Sequence, residues 1–181
     1  MRLGIADHLG WAIAVTASED HEVVDRRRLE LVEPGITSAP IHYESRRLDV
    51  AGTAALVAQV RAAVVRATSA ALDELVAALP APIGSISLRV WPLDFPDDIA
   101  VQRRAPYEAR ADAIMYRREL AELAHDRGWQ VNVYDAKAVE EQAIRLLAER
   151  ADEVLRGPRA RLGPPWTKDH RVALAATILA G

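Results

Sequence analysis

The apolar residues of this chain change period once, and where they change limits what it can fold into. Up to about residue 32 they come in short runs: Leu3-Gly4-Ile5-Ala6, then the turn formers Asp7-His8-Leu9-Gly10, then Trp11-Ala12-Ile13-Ala14-Val15. Runs this apolar, divided by turn residues, predict strands covered on both faces. Ser18-Glu19-Asp20 marks a second turn, and a third strand is expected over about 22–32, where Val24, Leu29 and Leu31 stand among arginines. Residues 33–52 have no period and read as a connection. From Thr53 onward the spacing becomes three and four. Leu56, Val57, Val60, Val64, Ala67, Ala71, Leu75 and Leu79 then mark one face of a long helix. Thr53 is expected to cap it, and Pro80 and Pro82 to stop it.

Strands and helices alternate beyond that point. Ile83 to Trp91 predicts a fourth strand, with Gly84, Ile86, Leu88 and Val90 on one face and Ser85, Ser87 and Arg89 on the other. A loop over 92–105 carries Asp94, Asp97, Asp98, Arg103 and Arg104. Pro106 suits the first turn of a helix running to about Asp126, with Ile114, Leu120 and Leu123 inward and Gly128 closing it. Trp129 to Tyr134 is a fifth strand. Asp135 is expected to cap a helix through Val139, Ala143, Leu146 and Leu147 that continues to Arg156. After the rigid Gly163-Pro164-Pro165-Trp166 loop, Thr167 caps a last helix, Lys168 to Ala180. The order β-β-β-α-β-α-β-α-α predicts an α/β domain over 1–181. Its mixed five-stranded sheet has three antiparallel N-terminal strands and helices on both faces.

Composition removes several classes of function. The chain has 181 residues, 50% hydrophobic and 27% charged, as expected of one globular domain. With no cysteine it has no disulfide, thiolate zinc site or cysteine nucleophile. No window is expected to reach the ~20 apolar residues of a membrane span, so a cytoplasmic chain without membrane contact is expected. The net charge of −3 argues against a generally basic nucleic-acid coat. Lysine occurs only at Lys137 and Lys168, so the arginine excess runs through the whole chain and marks no site. Phosphate-loop, dinucleotide, zinc-protease and nucleophile-elbow patterns are all missing.

The element order is similar to that of the ribonuclease H-like fold, and within it the chain resembles the RuvC-type Holliday-junction resolvases. Two motifs carry the resemblance. Leu3-Gly4-Ile5-Ala6-Asp7-His8-Leu9-Gly10 resembles the family's first strand and glycine turn, and Asp169-His170-Arg171-Val172-Ala173-Leu174-Ala175 resembles its last helix. The resemblance implies a Mg²⁺- or Mn²⁺-dependent nuclease acting on structured nucleic acid. Asp7 and Asp169 would be metal ligands, with His170 in support as ligand or base. Two divalent cations ~3.5–4 Å apart stabilise the attacking and leaving oxygens of a phosphodiester, and such hard cations take oxygen ligands. The chain departs from the pattern twice. Arg89 stands near the end of the fourth strand where the family has glutamate, and Val172 stands at the second acidic position of the last helix.

Each of these residues also has a plainer reading. Aspartate forms turns through its own backbone, which accounts for Asp7. A carboxylate in the first turn of a helix gains ~0.3–1 kcal/mol from the dipole, which accounts for Asp169. His170 is then a surface histidine. Arg26-Arg27-Arg28, Arg46-Arg47 and Arg103-Arg104 are phosphate contacts under one reading and solvated edges under the other. Arg89 would supply positive charge where the family holds a metal, which suits a relative that no longer cuts. The second expectation is therefore a catalytically inactive binding or assembly module, with the alanine-lined helix 53–79 available for a homodimer. A third expectation is a nucleotide pocket of the actin or sugar-kinase kind, since Asp7-His8-Leu9-Gly10 resembles a phosphate turn, although 181 residues are expected to be too few for the two-domain cleft of those enzymes.

Overall fold

The structure is a computed structural model and describes residues 1–180. Three strands open the chain: β1 (Arg2–Asp7), β2 (Trp11–Ala17) and β3 (Val23–Glu30). The long α1 (Val50–Ala78) leads to β4 (Ser85–Arg89), the short α2 (Ile99–Gln102), α3 (Glu108–Asp126) and β5 (Gln130–Tyr134). Four helices finish it: α4 (Val139–Leu147), α5 (Ala151–Arg156), α6 (Pro158–Leu162) and α7 (Lys168–Ile178). The five strands form one sheet in the order β3-β2-β1-β4-β5. The first three are antiparallel, and β4 and β5 add in parallel to β1.

The pleat divides the core. Leu3, Ile5, Ala12, Ala14, Ile86 and Leu88 pack on one face against Val60, Val64, Leu72 and Leu75 of α1 and Tyr116 and Leu120 of α3. Ala6, Ile13, Val15 and Tyr134 pack on the other face against Val139 and Ala143 of α4 and the Val172–Ile178 stretch of α7. Cross-strand partners such as Ile5–Ala14 and Ala6–Ile13 keep to the same face. Gly4 decides how close α7 lies. A Cβ there would sit 1.9 Å from the carbonyl oxygen of Ala173, so only glycine lets the helix rest directly on β1. That close seat sets the first turn of α7 beside the carboxyl end of β1.

Several expected boundaries move. Asp49, not Thr53, caps α1, accepting the Gly52 N–H on its carboxylate at 2.6 Å. Thr53 is buried one turn inside the helix, and its hydroxyl donates to the Asp49 carbonyl. Leu72 is fully buried in the core, and Ala71 packs against that core partly buried. Ser85 and Ser87 are buried, because helices cover both faces of β4. The helix expected from Pro106 begins at Glu108, and a short helix interrupts the loop before it. The helix expected to run to Arg156 breaks at Ala148, which has φ +50°, and Leu146 faces solvent. No glycine or asparagine announces that break. By length and composition α1 could cross a membrane, contrary to expectation, although Val60, Val64, Leu72 and Leu75 pack on the sheet.

Candidate functional site

The carboxyl ends of the parallel strands β1 and β4 meet at one edge of the sheet, the place where open α/β sheets commonly hold ligands. β1 brings Asp7 there and β4 brings Arg89. The Asp7 side chain is 2% exposed. A carboxylate so buried is costly without a partner, and α3 supplies one: Arg117 Nε donates to Asp7 Oδ2 at 2.8 Å. The other oxygen, Oδ1, faces Arg89 Nε at 3.9 Å, and neither of these two buried atoms has a hydrogen-bond partner among the described residues. Asp7 therefore lies between two guanidiniums.

The neighbouring residue turns the other way. His8 Nε2 lies 3.0 Å from Asp169 Oδ2 at the start of α7. Its ring stacks on Trp11 with centroids 4.0 Å apart and planes 10° from parallel. Arg28 lies 4.1 Å from the centroid of the same indole and donates to Glu30. Asp7 thus engages α3 while Asp169 engages His8, so the two carboxylates bind different partners.

His170 bonds neither aspartate through its ring, which engages Thr167 instead. Its side chain is turned into the fold, where Nδ1 accepts the Thr167 N–H at 3.2 Å and lies 2.8 Å from the Thr167 hydroxyl. This reciprocal cap at the start of α7 puts histidine where glutamate or glutamine usually stands. Burial, then the nearby Arg26 charge, lowers its pKa and favours the neutral ring that can accept those bonds. Val172 and Ala176 are buried, whereas Asp169 is partly exposed.

These residues do not fit a two-cation centre. Such a centre needs several carboxylates around each hard ion. Here the buried carboxylate of Asp7 is bound by arginine, its open oxygen faces a second arginine, and apolar Val172 stands one helical turn after Asp169. Among the described residues, no three of His, Cys, Asp or Glu are grouped to hold a metal.

The arginine pairs and triplet are largely occupied by the protein itself. Arg26 donates to the carbonyls of Leu162, Gly163, Pro164 and Pro165, clasping the rigid loop. Arg27 pairs with Asp25, and Arg103 donates to the carbonyls of Ser45 and Leu48. Asp112 was not singled out in the sequence, yet it binds the connection before α1 by accepting the N–H groups of Ile41 and His42. Arg117 was also missed, although helical spacing could have found it. It is three residues from both Ile114 and Leu120 and so lies on the inward face of α3. No protein-family model matches this chain, and no curated protein matches it.

Proposed function

We propose that this chain is a ribonuclease H-like domain that does not cut nucleic acid and works as a binding or assembly module. The observation that carries the reading is the Arg117–Asp7 ion pair, with Arg89 beside it, where a cleaving relative would need a cation. The element order and strand order are compatible with that fold. A guanidinium supplies the positive charge that stabilises a buried carboxylate, but it cannot activate water as a divalent cation does. Exposed Ala51, Ala55, Ala58 and Ala62 on α1 offer a small-residue face to a partner, which suits assembly.

A cleavage screen with Mg²⁺ and with Mn²⁺ on junction, single-stranded and RNA–DNA hybrid substrates tests the reading. The expected result is no cleavage above that of an Asp7→Asn control. Cleavage that disappears in a folded Asp7→Asn protein would overturn the proposal and restore the metal-dependent nuclease, with Asp7 and Asp169 as its ligands.

A further inference from the structure

Glu119, a buried carboxylate on the same helix as Arg117, has a different setting. Between α1, α3 and the loop after β4 lies a cavity of about 600 Å³, within the ~300–1,000 Å³ usual for small-molecule sites. Val57, Trp91, Phe95, Ile114 and Met115 form the apolar and aromatic part of its lining, and charged side chains form the rest. Glu119 opens onto this lining, although its side chain is only 4% exposed. Arg61 of α1 donates to Glu119 Oε1, and among the described residues no group donates to Oε2. Arg61 also lies 3.5 Å from Glu122, so its charge is shared.

The balance of charge in the lining points to the sign of a ligand. Asp97, Asp112, Glu119 and Glu122 bring four carboxylates against the two guanidiniums of Arg61 and Arg118. Arg118 is already paired with Asp97. Burial raises the Glu119 pKa and Arg61 only partly opposes this, so the carboxylate is short of positive charge where it stands. Stability alone gives little reason to keep a charge here, since an apolar pair of similar volume often serves a fold as well. Trp91 and Phe95 supply ring faces and edges for an aromatic body.

We propose that this cavity binds a small organic amine, an aromatic or aliphatic body carrying one ammonium group, with the ammonium donating to Glu119 Oε2. The body would lie among Trp91, Phe95 and Met115, and the ammonium would offset the excess of carboxylates. The site is separate from Asp7 and stands whether or not that edge of the sheet cuts nucleic acid.

The chain's two methionines make a direct test available. Met115 lines the cavity and Met1 does not, so a protein labelled with ¹³C-methyl methionine reports occupancy in two signals. Tryptamine, the neutral alcohol tryptophol and the anion indole-3-propionate would be titrated in turn. The expected result is a saturable shift of the Met115 signal with Met1 unmoved. Tryptamine should bind about tenfold or more tighter than tryptophol, as one charge-assisted hydrogen bond allows, and the anion weakest. Glu119→Gln should remove the preference for the amine while the Met115 response to tryptophol persists. Should that variant fail to fold, the charge series on the unaltered protein and on Glu122→Gln decides the matter, with Glu122→Gln weakening tryptamine more than tryptophol. A Met115 signal that none of the three compounds moves, or equal affinity for amine and alcohol, would overturn the proposal.

Discussion

Helix α3 carries two inward arginine–carboxylate pairs of opposite character. At Arg117 the helix supplies the cation, and the carboxylate comes from the end of β1. At Glu119 it supplies the carboxylate, and the cation comes from α1. Both carboxylates are almost fully buried. Asp7 has guanidiniums on both sides, and its free oxygen faces one of them. Glu119 has one guanidinium, shared with Glu122, and its free oxygen borders a cavity. The first arrangement satisfies its charge within the fold, and the second leaves capacity for a ligand. The aspartate that opens the catalytic-motif resemblance, Asp7, is thus closed off, while the more open carboxylate lies where no motif pointed.

The largest expected effect comes from breaking the closed pair. Arg117→Leu strands the Asp7 carboxylate in the core and should cost ~3–5 kcal/mol, read from urea unfolding. A loss below ~1 kcal/mol would mean that Asp7 does not depend on this partner. Asp7→Asn keeps an acceptor for Arg117 and should cost less, ~1–3 kcal/mol. Its double mutant with Arg117→Leu should cost less than the sum of the single changes, because the two groups share one interaction. Strict additivity would show that the pair is not coupled.

The open pair should show itself through pH. Burial, opposed by Arg61, raises the Glu119 pKa above its ordinary 4.5, so the folded state holds that proton longer than the unfolded state. Stability is therefore lost as pH rises from about that value through the raised one, with Glu122 adding to the loss and Arg61 limiting it. Glu119→Gln should flatten that part of the melting-temperature profile, and an unchanged slope would count against the burial of this charge. His170 works in the opposite direction. Its lowered pKa gives stability that is present above the ordinary 6.5 and is lost as pH falls through the lowered value. His170→Gln, which can still accept the Thr167 N–H, should lessen that acid loss. The smallest effect is expected far from both regions. Arg66→Gln breaks an exposed pair with Glu33 and should leave the melting temperature unchanged within error.

Much of the fold was legible because periodicity reports burial, and burial follows the sheet. The change from runs to three-and-four spacing placed α1, and Leu3, Ile5, Val60 and Leu75 all reached the core they were expected to share. Boundaries were harder to read. Asp49 outcompeted Thr53 as a cap, and Ala148 takes a positive φ that alanine does not advertise. Ser85 and Ser87 were legible only as the polar face of β4, and their burial depends on α7, far along the chain. The site was less legible for the same reason. Asp7 and Asp169 were visible as residues, but their different partners follow from the pleat, which directs Asp7 to α3 while the next residue, His8, meets Asp169 of α7. Arg117 sits 110 residues from Asp7, and Arg61 sits 58 residues from Glu119. Pairings at such range leave no mark in local spacing, although the inward phase of Arg117 between Ile114 and Leu120 was a signal within reach.

The central claim is that arginine, rather than a metal ion, satisfies Asp7. A Mn²⁺ soak of crystals of this protein, read by anomalous scattering, tests it most directly. The account predicts no anomalous peak shared by Asp7 and Asp169, with Arg117 Nε within hydrogen-bond distance of Asp7 Oδ2. A peak bound by both carboxylates, with Arg117 displaced from Asp7, would contradict it.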